Sequence, residues 1–395
     1  MKKLVSAVVF LASGASFAAG YQVDTHAARA TGMATAVTAA IDDPSAVLYN
    51  PAGISQGTGF SFYLGDTLII PAFDATYQGT KYQANRTPIP PPHLYATFGI
   101  TDDLSVGVGL FSLYGSALGW GADFPGRFVT ASSSLSTYNI NPEVAYRFGP
   151  LKIGAGLQIV RGTVELKQAI GFVDSDGSAD IGGGGWGFGG NAGLQVEVVP
   201  KAFWAGLSYR SAVKLPLSGS AHFSNVPADF QSLVHDQNVK TRVALPDTVN
   251  LGIAYQPIHE LRLGLDADYT AWQHFHDLTI RFDDPRLNAT TVKRWHHTIN
   301  VHLGGEFTLA EHFDVRAGVI YDPTASPSDT IGPDLPDSNR VNLALGVGFH
   351  TGGFRADLGY QAVFLATVDS TYAAFPATYS GNAQVLGLSL GYTFK

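Results

Sequence analysis

From Phe60 onward, apolar and mixed positions alternate with a period of two, the pattern of strands with a different environment on each face. Val341, Leu343, Leu345, Val347 and Phe349 form one face of such a run, and Asn342, Ala344, Gly346, Gly348 and His350 form the other. Leu261, Leu263, Leu265, Ala267 and Tyr269 oppose Arg262, Gly264, Asp266 and Asp268 in the same way. Phe354, Ala356, Leu358, Tyr360, Ala362 and Phe364 alternate with Arg355, Asp357, Gly359 and Gln361. The last run sets Leu386, Leu388, Leu390, Tyr392 and Phe394 against Gly387, Ser389, Gly391 and Thr393. Taken singly, each run fits a soluble sandwich as well as a lipid-facing wall.

The connections separate these two readings. Tight turns at Thr101 to Asp103, Phe148 to Pro150, Val199 to Lys201, Gln256 to Glu260, Leu309 to His312 and His350 to Gly353 alternate with long connections. The long ones fall near residues 67–91, 113–134, 167–185, 214–241, 272–293, 322–339 and 365–382. Short turns at one end and long loops at the other are the asymmetry of outer-membrane barrels. Six tight turns and seven long loops in alternation predict fourteen strands. The chain allows roughly 24 residues per strand and connection, more than the 9 to 11 that a tilted strand needs to cross a bilayer. An even count puts both barrel termini on the periplasmic side.

Composition agrees with this architecture. The 395 residues include Gly 45, with aromatic residues at 12% and charged residues at only 14%, as suits a turn-rich β chain with little soluble surface. Mean hydropathy is only +0.09, and no apolar run beyond residue 20 approaches the length of a spanning helix. Strands that alternate can cross without raising the mean. Cys 0 excludes a disulfide framework and thiolate metal sites, and a net charge of −8 without a basic cluster argues against nucleic acid as a partner. At the N-terminus, Lys2-Lys3, the apolar run Leu4 to Leu11 and the small residues ending at Ser16-Phe17-Ala18 predict a signal peptide over 1–18.

Residues 19–57 lack the alternation. Asp42-Asp43-Pro44 and Asn50-Pro51 are turn initiators, and the Ala content of Ala27 to Ala40 suggests a short helix, although Thr31, Thr35, Val37 and Thr38 oppose it. The stretch predicts a plug inside the barrel formed by 58–395. Asn50-Pro51 by itself also fits an ordinary turn.

Asn50, Pro51 and Ala52 match the Asn-Pro-Ala motif of the N-terminal hatch in the long-chain fatty-acid transporter family of Gram-negative outer membranes. The likeness extends through Pro92 to Gly99, Gly107 to Gly115, Phe124 to Arg127, Leu135 to Asn139, and Gly185 to Gly193 with Gly206 to Ser211. It continues through Leu245 to Tyr255, Trp272, Tyr321 to Pro323 and Pro336 to Arg340. The chain therefore resembles that family over nearly its whole mature length. The resemblance implies an all-β membrane protein: a fourteen-stranded antiparallel transmembrane β-barrel in the outer membrane, plugged by the hatch, that imports hydrophobic molecules passively. Outer-membrane barrels typically end on an aromatic residue; here Lys395 follows Phe394.

The resemblance also implies roles. Phe111, Ser112, Leu113, Tyr114 and Gly115 would form a kink in strand 3 that opens the wall sideways, a plain strand end being the alternative. Leu118, Trp120 and Phe124 would supply an exposed capture groove. The expected cargo is a long-chain fatty acid, whose carboxylate needs a cation. Yet strand 5 puts Val160, Gly162, Val164 and Leu166 at lumen parity and Arg161 on the other, leaving Arg161, Lys293 and Arg294 as headgroup candidates. That weakness admits a neutral aliphatic or aromatic hydrocarbon as the alternative cargo, and a general porin as a third reading. Outer-membrane lipid, lipopolysaccharide and the barrel assembly machinery are the other expected partners, and a monomer the expected state.

Other motifs have bland explanations. Gly185, Gly187 and Gly190 satisfy G-x-G-x-x-G, but a strand follows where a phosphate cradle needs a helix. His296 and His302 share parity but stand roughly 20 Å apart on a strand, so a metal site is not expected. No G-x-S-x-G stretch points to a hydrolase, and neither an enzyme nor a cofactor is expected. Charges at lumen parity, Glu143, Arg147, Asp266, Glu306, Arg316, Arg355 and Asp357, are expected to pair across strands or, less simply, to meet the cargo.

Overall fold

The computed structural model describes residues 20–394; residues 1–19, the expected signal peptide among them, and Lys395 lie outside them. Strand β1 is Gly59–Tyr77, β2 Pro92–Gly99, and β3 Leu104–Phe111 continued by Gly115–Gly119. β4 is Ser132–Phe148, β5 Leu151–Gly171 and β6 Asp176–Val199. Three strands come in two parts: β7, Phe203–Arg210 and Val213–Ser224; β8, Gln237–Leu245 and Thr248–Ile258; β9, Leu261–Thr270 and Asp277–Phe282. So does β10, with Ala289–Val292 and Thr298–Leu309; β11 is Phe313–Asp322, β12 Arg340–Thr351, β13 Phe354–Leu365 and β14 Thr378–Phe394.

Each strand pairs antiparallel with the next, and β1 returns to β14 in a continuous register from Phe60 opposite Phe394 to Thr76 opposite Thr378. The fourteen strands thus close without an edge, which is what hydrocarbon demands of a β structure. The apolar faces point out: Leu345 is 59% exposed and Leu388 54%, where a soluble sandwich would have hidden them. The opposite positions, Asn342, Ala344 and Ser389 among them, are buried in the lumen.

Three sequence expectations need correction. The predicted long connection at 167–185 is a hairpin in which β5 and β6 continue to Gly171 and Asp176. The run Gly182 to Gly185 has no side chains with which to display a period of two, so its strand character was invisible. Residues 214–241 likewise contain the outer half of β7 and the start of β8. In the plug, only Ala28–Gly32 (α1) and Ala46–Tyr49 (α2) are α-helical, followed by a 3-10 turn at Pro51–Ile54. Ala34 and Thr35 take positive φ (51° and 56°) and end any longer helix.

Residues 20–55 fill the lumen and are buried at almost every position. Barrel glycines make room for them: a Cβ on Gly154 would stand under 3.0 Å from Pro51, and one on Gly193 under 3.0 Å from Asn50. Asn50 caps the 3-10 turn through Ala52 N, and its Nδ2 donates to Thr38 O at 2.8 Å and to Leu194 O of β6 at 3.0 Å.

Candidate functional site: an apolar pocket, a broken strand and the hatch between them

β4, β5 and β6, with the outer parts of β7, β8 and β9, surround an apolar pocket with about 610 Å³ of space between atoms, its mouth included. Alternation turns Leu135, Val164, Leu166, Ile181, Leu217 and Val239 into it, and Tyr21 of the hatch also lines it. No charged side chain does so among the described residues.

Next to the pocket the wall carries a seam. β7, β8, β9 and β10 are all interrupted, and Arg210, Thr248, Thr270 and Thr298 lie in one row across them, so the breaks share a level. Pro246, without an N–H, sits in one break. The Asp247 carboxylate stitches the seam, accepting from Ala212 N and Tyr209 Oη at 2.8 Å each and lying 2.8 Å from His274 Nε2. Released from the ladder, Trp272, Phe275 and Trp295 turn inward and surround Tyr21 at ring distances of 4.9, 5.4 and 5.9 Å. Ring edges meet ring faces in the first two contacts, a favourable geometry.

β3 is broken across the lumen from this cluster. Ser112, Leu113 and Tyr114 leave the ladder; the inner part of β3 pairs with both β2 and β4, the outer part with β4 alone. The hatch takes the vacated place. Val23 N donates to Leu113 O at 2.7 Å, Gly115 N donates to Tyr21 O at 2.8 Å, and His26 Nε2 lies 2.7 Å from Ser112 O. Tyr114 Oη reaches Pro246 O at 3.3 Å, joining the break to the seam. Burial pushes the His26 imidazole down to about 4 from its ordinary value, against the opposing pull of the Ser112 carbonyl and Asp24.

The hatch is held by charge as well. Arg29 forks onto Glu306 at 2.8 and 2.9 Å and reaches Asp42 and Asp43, while Arg316 joins Glu306, Asp314 and Asp357 at 2.7 to 2.8 Å. Burial disfavours the Asp42 carboxylate, but the Arg29 and Arg262 guanidiniums outweigh it and hold the group well below the usual carboxylate range. Asp266 accepts from the hatch amides Val37 N and Thr38 N at 2.9 and 2.8 Å. Arg355 contacts Asp314 and Asp357, Arg147 pairs with Asp103 near a tight turn, and Glu143 bonds Asn191.

The remaining candidates fall in several places. Leu118, Trp120 and Phe124 do not form an exposed groove: they are buried, Trp120 stacks on Phe124 at 4.3 Å, and its Nε1 donates to Pro333 O. Arg161 stands on the outward face of β5, with Trp186 under its guanidinium at 5.6 Å, outside the pocket. Lys293 is buried and bound to Asp334, and Arg294 is paired with Asp329 on the surface. Sequence reasoning missed Tyr21, Arg29, Trp295 and Arg210. Arg210 donates to Asn141 Oδ1 and to the hatch carbonyl of Leu48. A tryptophan and an arginine amid alternating strands were the only signals available.

Residues 9–394 match the model of the outer membrane protein transport protein family (OMPP1/FadL/TodX). The chain belongs to this family. It is 24% identical to a long-chain fatty acid transport protein of Escherichia coli O6:H1, across 100% of this chain and 98% of that one. Its fold is that of a Pseudomonas aeruginosa FadL homologue (TM-score 0.86, 19% identity, 95% and 99% coverage). It also matches the P. putida toluene transporter TodX (TM-score 0.74, 18% identity, 96% and 99% coverage). As a member of the OMPP1/FadL/TodX family, the chain is an outer-membrane transport protein and not an enzyme. Relatives named for their cargo carry fatty acids or toluene, so the family's business is hydrophobic compounds.

Proposed function

We propose that this barrel carries neutral hydrophobic molecules, aliphatic or aromatic hydrocarbons, through the outer membrane without an energy source. The observation that carries this reading is the apolar pocket with no charged lining. A carboxylate brought there would be a buried charge without a partner, which costs several kcal/mol or forces its protonation. Lys293 does not relieve this, because Asp334 already neutralises it.

The route begins at the outer loops, where cargo leaves the lipopolysaccharide leaflet that resists it and enters the pocket. Tyr21 and its aromatic neighbours stand between the pocket and the break in β3. Withdrawal of the hatch segment from Leu113 to Gly115 would free both the aromatic cluster and the gap, and the cargo would leave sideways into the membrane. Asn50, Pro51 and Ala52 would anchor the rest of the hatch during this movement.

A second reading, long-chain fatty acids, draws on the full-length match to the E. coli protein. It requires Lys293 to exchange Asp334 for the cargo carboxylate. Uptake of labelled toluene, hexadecane and oleate by cells with and without the gene separates the two. The neutral reading expects gene-dependent uptake of toluene or hexadecane and none of oleate. Gene-dependent oleate uptake that Lys293→Met abolishes establishes the second, and gene-independent uptake of all three rejects both.

A further inference from the structure

The hatch segment separates two cavities of opposite character. Tyr21 faces the apolar pocket, whereas Gln22 to Thr25 line a second cavity with about 760 Å³ of space between atoms, its opening included. The apolar part of its lining comes mainly from β1, β13 and β14, through Ile69, Phe73, Val363 and Val385, with Ile320 set among the polar residues. The polar part comes from Asp268, Asn300, Asp322, Arg340, Asn342 and Gln361 on β9 to β13.

The polar wall has acceptors to spare. Asp268 Oδ1, Asn300 Oδ1, Asp322 Oδ1, Asn342 Oδ1 and Gln361 Oε1 are buried without a hydrogen-bond partner. Asn300, Asp322, Asn342 and Gln361 are at most 8% exposed. Buried oxygens of this kind are costly unless a donor, from water or from a ligand, stands against them, and the one lining donor also left without a hydrogen bond is Arg340 Nη1. Carboxyl groups outnumber cations in the lining. Asp24, Asp268 and Asp322 line the cavity, and Arg340, its only lining cation among the described residues, is shared between Asp322 and Asp337. His302 stands 3.5 Å from Asp268, beside the further carboxylate of Asp266.

We infer that this cavity is a binding site for a small amphiphilic cation, an alkyl- or arylammonium. An ammonium group offers three donors and no acceptor, the complement of a wall of unpaired oxygens. Its hydrocarbon part would lie against the apolar side chains of β1, β13 and β14. Water would satisfy the oxygens but would not cover the apolar side chains of β1, β13 and β14. A carboxylate would be repelled. A bare metal ion finds no group of three or more His, Asp or Glu residues able to hold it among the described residues. The inference goes beyond uptake of neutral cargo and is tested at equilibrium, so it stands or falls separately from the transport reading.

The test is equilibrium dialysis of the full chain in neutral detergent against labelled octylamine, octanol and octanoate, with protein-free micelles as the reference. Octylammonium is expected to bind saturably and at least about tenfold more tightly than octanol, a difference of about 1.4 kcal/mol. Octanoate is expected to bind more weakly than either. Asp322→Asn and Asn342→Leu should each weaken octylammonium about tenfold and leave octanol unchanged. Asn342 takes part in no ion pair, so Asn342→Leu keeps the test decisive should loss of the Asp322–Arg340 pair prevent folding. Octylammonium binding no tighter than octanol, or unchanged in folded Asn342→Leu, overturns the inference. So does saturable binding of labelled sodium or calcium in place of octylammonium.

Discussion

At the scale of single residues, His26 ties acidity to hatch docking. Its imidazole is buried against the Ser112 carbonyl and is held at about 4. A released His26 would take a proton below about 6.5, whereas the docked one stays neutral until about 4. Docking is therefore unaffected above about pH 6.5 and loses stability as pH falls through that window, by up to about 1.4 kcal/mol per pH unit. Asp42 has the opposite chemistry and the same trend. Its lowered carboxyl stabilises docking above the ordinary carboxylate range, and the contribution disappears as pH falls below it. The two groups separate in the titration, because His26 acts first. Fluorescence of Trp272 and Trp295, which pack on Tyr21, is expected to change between pH 6.5 and 4, and His26→Gln to flatten that change. An identical profile in the variant would remove His26 from the mechanism.

At the scale of elements, the hatch and the strands fit because the strands give up side chains where the hatch backbone approaches. Gly193 on β6 faces Asn50, and Gly154 on β5 faces Pro51. Both glycines lie within regular ladders, so the closeness of the hatch, and not backbone conformation, demands them. Gly193→Val is expected to leave the barrel folded but to push Asn50 out of its bonds to Thr38 and Leu194. Overpacking of this kind typically costs about 1 to 3 kcal/mol. The readout is hydrogen exchange, which should quicken over residues 28–55 and stay unchanged in β5 and β6. Protection equal to wild type in the hatch would show that its docking does not depend on this contact. The seam across β7 to β10 belongs to the same scale. Four adjacent interruptions at one level allow aromatic side chains to leave the wall and meet Tyr21, which an unbroken ladder would forbid.

At the scale of the whole molecule, the barrel closes through β1 and β14, and the hatch joins its sheet only by the short bridge of Gln22 to Tyr114 at the break in β3. Removing residues 20–57 should therefore leave a folded barrel. It would also leave the lumen without the segment that fills it and holds the break in β3. The deleted form is expected to show steady ion conductance in planar bilayers, where the full chain shows little, and to lose discrimination between toluene and polar solutes of similar size. Equal conductance in both forms would mean that the loops, not the hatch, close the pore.

The architecture was legible in the sequence because a lipid-facing strand must alternate and a barrel must join its strands by turns. Leu386 to Phe394 declares its face without help, and the order of tight and long connections predicts fourteen strands. Turn chemistry also exposed the plug through Asp42 to Pro51. Only the glycine-rich start of β6, up to Gly185, falls in an expected connection, because a period of two needs side chains to show it. The site was less legible. Parity correctly put Arg161 outside and Val164 inside, since it depends only on neighbours along the strand. Contacts between distant segments carry no such local mark. That Lys293 is neutralised by Asp334, that Tyr21 meets Trp272 and Trp295, and that Leu118, Trp120 and Phe124 are covered were decided by closure of the barrel. Only closure brings residues separated by hundreds of positions to bonding distance, and thereby determines which charges are paired and which oxygens are left without a partner.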